Sequence, residues 1–225
     1  MEKRSKILLL IASIFLLGIF TAPMWQIELT APQYPDGIKM YIWINKISGA
    51  TDGTIQNMNI LNHYVGMKPI EPDSIPELKY FPYVIIGMTI LGLLLSIGKI
   101  KHGALIWVVI LAILGILGMY DFYMWEYNYG HDLSPRAPIK VPGASYQPPL
   151  IGEKWLLNFK ATSLPYWGSL FMGISMGLAT IAAIIELKRK KRSKIANNDK
   201  TENKIENSVD DKSTDNKLSL QTGGN

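Results

Sequence analysis

His63 and Met67 stand four residues apart, and His131 follows in a separate polar segment. The chain has no cysteine, so imidazole and thioether are its soft metal donors, and Met40, Met58 and Met124 belong to the same set. Such donors suit copper in an oxidising compartment. One histidine per segment is a weaker arrangement than a CxxC pair or an HxxxH. The competing reading is that each ring makes a hydrogen bond inside a loop–loop contact, His131 with Asp132 or Glu126. No catalytic constellation accompanies them. Closely spaced zinc ligands with a base, a serine on a glycine elbow and a phosphate-binding Gly-Lys-Ser/Thr run are all missing from the sequence. An enzyme is therefore not expected; Asp121 and Glu126, five apart near the end of an apolar stretch, could bind a cation but read as solvated carboxylates.

Four apolar stretches must position these residues: Ile7–Phe20, Phe81–Ile97, Ala104–Tyr120 and Leu170–Ile185. Crossing a hydrocarbon core of about 30 Å takes roughly 20 residues, a length the first stretch reaches by including Thr21–Trp25. A cleaved signal peptide competes for that stretch, but no A-x-A-like site follows and Pro23 and Pro32 stand where small residues would be wanted. A retained anchor is the reading adopted. The fold class expected is an integral membrane α-helical protein, a four-helix transmembrane bundle with a small extracytoplasmic cap. In order, the segments are an N-terminus (1–6), a first span (7–25), an outer loop (26–79), a second span (80–98) and a link (99–103). A third span (104–120), a second outer loop (121–165), a fourth span (166–187) and a tail (188–225) complete the chain.

Basic residues set the orientation. Lys3, Arg4 and Lys6 precede the first stretch, Lys99 and Lys101 lie in the link, and Lys188 to Lys194 follow the fourth, all on one face if every stretch crosses. Cytoplasmic loops carry the Lys/Arg excess, which puts both termini inside and both loops outside. Those loops together hold eight basic and ten acidic residues, so the net charge of +5 belongs to the inner face. Nucleic acid is not an expected partner, whereas the lipid bilayer is. The tail is polar and too poor in apolar residues to offset its ordering entropy, which predicts disorder.

Inside the four stretches there is no Asp, Glu, Lys, Arg or His. Ion paths and proton relays generally need such groups, so a channel or pump is disfavoured. Gly173 and Gly177 form a GxxxG pair, which reads as close helix packing within the chain or as the seam of a homodimer. Met172 and Met176, also at i,i+4, read as core filler. Trp25, Tyr80, Phe81, Tyr83, Tyr120, Tyr123, Trp125, Tyr166 and Trp167 read as an interfacial belt.

In the first outer loop, Ile38, Met40, Ile42 and Ile44 alternate with Lys39, Tyr41, Trp43 and Asn45, the period-2 pattern of a half-buried strand. A turn at Tyr34–Gly37 and a partner strand at Gln26–Thr30 would complete a β-hairpin. The stretch Thr54–Met67 reads as a short helix capped at Asp52 or Thr54, which places Asn59, His63 and Met67 on one face. Five prolines between Pro135 and Pro149 exclude helix and central strand from the second loop, and its apolar residues favour wrapping over a neighbour. Trp155–Phe159 is expected to be a short interfacial helix or turn.

Several segments carry a family resemblance: Ala31–Gly37 (APQYPDG), Leu61–Met67 (LNHYVGM), Gly130–Leu133 (GHDL), Ile139–Gly143 (IKVPG) and Tyr146–Gly152 (YQPPLIG). Between roughly Met24 and Leu187 the chain resembles a family of bacterial four-span membrane proteins. Its members are similar to the membrane component found with nitrous oxide reductase maturation genes, beside a copper chaperone lipoprotein. The resemblance implies a multi-pass protein of the bacterial inner membrane with an accessory role in copper-enzyme maturation or electron supply. It supplies no ligand residues; His63, Met67 and His131 are chosen from their chemistry. Two readings follow. In one, the outer cap binds or passes copper; in the other, a metal-free scaffold docks a partner membrane or periplasmic protein.

Overall fold

A computed structural model of the chain describes residues 3–98, 100–141, 143 and 145–189. The expected tail therefore lies outside the described residues, apart from Lys188 and Arg189. Two compact units divide the chain, Met1–Ala183 and Ile184–Asn225; the described part of the second, 184–189, is helical.

Four helices are long and apolar enough to cross a membrane. Helix α1 (Lys3–Leu16) continues as a 3-10 turn over Leu17–Thr21, and α3 (Glu77–Ile97), α4 (Gly103–His131) and α5 (Trp167–Arg189) follow after a short α2 (Thr54–Val65). Serine hydroxyls tie the long helices together. Ser175 Oγ donates to the Ala12 carbonyl at 2.6 Å, Ser5 Oγ to Ala182 at 3.0 Å and Ser96 Oγ to Lys6 at 2.8 Å. The buried Trp107 indole of α4 donates to the Met88 carbonyl of α3 at 2.8 Å. Faces turned away from these contacts expose apolar side chains at helical spacing, such as Ile86, Ile90, Leu94 and Ile97 on α3. A cost in water becomes neutral in lipid, so such faces fit a hydrocarbon surrounding. Gly173 and Gly177 lie on an open face of α5, where an added Cβ would meet nothing within 4 Å.

Three corrections to the sequence reading concern what stands at the end of these helices. The expected hairpin is a five-stranded antiparallel sheet of order β3-β2-β1-β5-β4, built from β1 (Trp25–Ala31), β2 (Tyr34–Ile42), β3 (Ile47–Gly49), β4 (Gly152–Leu156) and β5 (Phe159–Pro165). Of the helix or turn expected at Trp155–Phe159, the turn is found: the segment is the end and turn of the β4–β5 hairpin. Pairing of β5 with the free edge of β1, from Trp25↔Pro165 to Thr30↔Lys160, overrides its weak local pattern. The turn between β1 and β2 lies at Pro32 and Gln33, because Tyr34 already pairs with Ala31. Third, α4 does not stop at Tyr120. Its 29 residues span about 43 Å at about 1.5 Å each, so the part from Asp121 onward extends beyond an apolar layer of about 30 Å into the sheet region.

Candidate functional site

The sheet, α2, the end of α4 and the proline-rich coil meet in one cap. One face of the sheet carries Ile27, Ile38 and Met40, and α2 lays Met58 against it to form an apolar core with Ile70. Asn59 clamps the chain after α2 by donating from Nδ2 to the Ile70 carbonyl at 3.2 Å and accepting from the Ile70 N–H at 2.7 Å. Its carboxamide is therefore committed to the loop, and α2 ends before Met67 at Gly66, whose φ of +83° is a left-handed cap.

The two histidine-bearing segments adjoin along a backbone seam. Ser134 N–H donates to the Gly66 carbonyl at 2.8 Å, Ile139 N–H to Tyr64 at 2.9 Å, and Lys68 pairs with Asp132. Farther along, Tyr146 N–H donates to the Gly130 carbonyl at 2.9 Å. A Cβ on Gly130 would clash with the Gln147 backbone, so this approach of coil to helix requires glycine. The prolines exclude regular structure from the coil, and its main chain finds partners on the neighbour instead.

Both imidazoles lie at the exposed surface. His63 packs edge-on against Tyr64, whereas His131 stacks on Tyr127 at 4.0 Å between ring centroids. Among the described residues no hydrogen bond or ring contact joins the two histidines. His131 Nδ1 lies 3.0 Å from the Tyr127 carbonyl, rather than bonding to Asp132 or Glu126. A carbonyl only accepts, so in the neutral ring the proton sits on Nδ1 and Nε2 keeps its lone pair. Met67 is half-buried and lines a cavity inside the cap.

That cavity, about 90 Å³, is the feature the sequence reading missed. Met40 from the sheet, Met58 and Asn62 from α2, Glu126 from α4 and Tyr146 from the coil contribute to its lining. Glu126 is a correction to the expected solvated carboxylate: its exposure is 0%, and among the described residues neither carboxyl oxygen has a hydrogen-bond partner. The buried Tyr146 hydroxyl lacks one as well. Desolvation pushes the Glu126 pKa from 4.5 to about 8, so the acid is neutral near pH 7. A signal was present in the sequence. Phe122, Glu126 and Tyr129 fall on one helical face with Trp125 beside them, and Trp125 and Tyr129 line the cavity too.

The presumed aromatic belt divides in two. Tyr80, Tyr83, Tyr120 and Trp167 are exposed as lipid-interface side chains would be. Trp25 instead donates to Ser163 Oγ at 2.8 Å, Trp125 stacks on Phe122, and Tyr166 packs on Tyr41, so these three hold the cap together. Comparison with protein-family models, curated proteins and solved structures finds no match to this chain.

Proposed function

We propose that the protein is a membrane-embedded accessory factor whose cap binds or hands over copper on the extracytoplasmic side of a bacterial inner membrane, through His63, Met67 and His131. The observation that carries this reading is the seam, which draws the segments bearing those donors side by side by way of Gly66–Ser134 and Tyr64–Ile139. Fixing the His131 ring through Nδ1 leaves Nε2 for a metal, the usual arrangement of a ligating imidazole. Copper is cargo in this account, taken up by soft and borderline donors that need no cysteine. The four long helices form the membrane bundle, and the Lys/Arg excess at their other ends favours cytoplasmic termini. Pairing of β1 from the first loop with β5 from the second supports a shared side for both loops.

Competition for copper(I) on the purified full chain tests the ligands. His63→Ala and His131→Ala should each weaken binding, and unchanged affinity in both overturns their role. Since the natural chain has no cysteine, Gln56→Cys, Lys140→Cys and Lys101→Cys can be labelled separately in intact cells with an impermeant maleimide. The first two should react and the third should not.

A second reading, docking of a partner protein by a metal-free scaffold, is favoured by one observation. Ile139, Ile151, Trp155 and Leu157 each expose an apolar side chain on the cap, the kind of surface a partner protein would cover. Copper handover would need such a surface too. The open Gly173 and Gly177 face is the natural seam for a homodimer.

A further inference from the structure

We propose that the cavity inside the cap is itself a site for a soft monovalent metal ion, copper(I) or its analogue silver(I), held by the thioethers of Met40, Met58 and Met67 with the Glu126 carboxylate. The proposal rests on the copper reading above for the identity of the cargo, and adds a buried site that shares only Met67 with the surface donors.

Three observations converge on it. Met40, Met58 and Met67 reach the same cavity from the sheet, from α2 and from the chain beyond α2. Met40 and Met58 are each only 2% exposed and line this cavity, so their thioethers are held in the interior rather than in solvent. Glu126, fully buried, enters the same space with neither oxygen partnered among the described residues, and the Tyr146 hydroxyl joins it in the same condition. A buried carboxyl without partners is costly to the fold, and a bound ion supplies what the protein leaves unsatisfied.

Charge and softness choose the ion. Thioethers are neutral and polarisable; they bind copper(I) and silver(I) well and magnesium or calcium poorly. On binding, Glu126 gives up its proton to solvent, and the single carboxylate left balances a single positive charge. A divalent ion would leave a net charge inside largely apolar walls, which is strongly unfavourable. Met67, lying on the chain that leads from Gly66 into the seam, connects the interior donors to the segment that carries His63.

The test uses the full chain in detergent under anaerobic conditions, titrated with copper(I) against a chromophoric chelator. Met40→Leu, Met58→Leu and Glu126→Gln keep side-chain size close to the original, and each is expected to weaken binding at least tenfold. X-ray absorption at the copper edge of the loaded wild-type protein should show sulfur neighbours, a readout that does not depend on any variant folding. A spectrum with only nitrogen and oxygen neighbours overturns the cavity site. If His63→Ala and His131→Ala weaken binding while Met40→Leu and Met58→Leu do not, the surface site stands and the cavity site falls. The reverse pattern keeps the cavity site and removes the histidines.

Discussion

Several polar side chains buried between the long helices bond to the backbone, whereas two that line the cap cavity do not. Among the helices, Ser5, Ser13, Ser96, Ser175, Thr89 and Trp107 each donate to a backbone carbonyl. In the cap, Glu126 and Tyr146 are buried with no partner among the described residues. A protein under selection for stability alone would replace such groups with apolar ones, as is often neutral or stabilising. On α5 the Glu186 carboxyl oxygens are also buried without a hydrogen-bond partner among the described residues. What sets the cap apart is that its two unpartnered groups, Glu126 and Tyr146, line one cavity, and there they read as a site awaiting a ligand.

Three substitutions press on that contrast. The largest effect is expected at Met58, which is 2% exposed between α2 and the sheet. Met58→Ala should cost about 2–5 kcal/mol, read as a lowered midpoint of thermal unfolding in detergent. An intermediate effect should follow pH. In the unfolded chain Glu126 ionises near 4.5, whereas in the fold it holds its proton until about 8. Its contribution to stability is complete below pH 4.5 and is lost as pH rises toward 8. The melting temperature of the metal-free protein should accordingly fall across that window, and Glu126→Gln should flatten the decline. Equal slopes in both proteins would mean that the acid is solvated. The smallest effect is expected at Ser175→Ala between α5 and α1, about 0.6 kcal/mol, typical of a single interhelical hydrogen bond. A loss there as large as at Met58 would erase the distinction between the regions.

The parts legible in the sequence were those governed by local periodicity. Apolar runs announced the four long helices, alternation at Ile38–Ile44 announced β2, and Thr54 onward announced α2 up to the glycine that ends it. The dense prolines of the second loop predicted a coil wrapped over a neighbour, and that coil bonds to Gly66, Tyr64 and Gly130. What escaped depends on pairing between distant segments. Strands β4 and β5 form because β1 offers an edge more than 100 residues upstream, and β propensity responds to such context more than to composition. Tyr120 looked like the end of a helix because the hydropathy changes there, yet nothing in Asp121–Tyr129 breaks a helix, and aromatics continue one face into the cap. Glu126 was legible as a helical neighbour of Trp125 and Tyr129, but its burial depends on the sheet and coil that close over it.

The most direct measurement is copper retention by the wild-type full chain, purified in detergent, loaded anaerobically with copper(I) and dialysed against a weak competitor. The account predicts copper bound well above the level of a detergent blank. Copper no higher than the blank would contradict it and leave the cap a docking surface only.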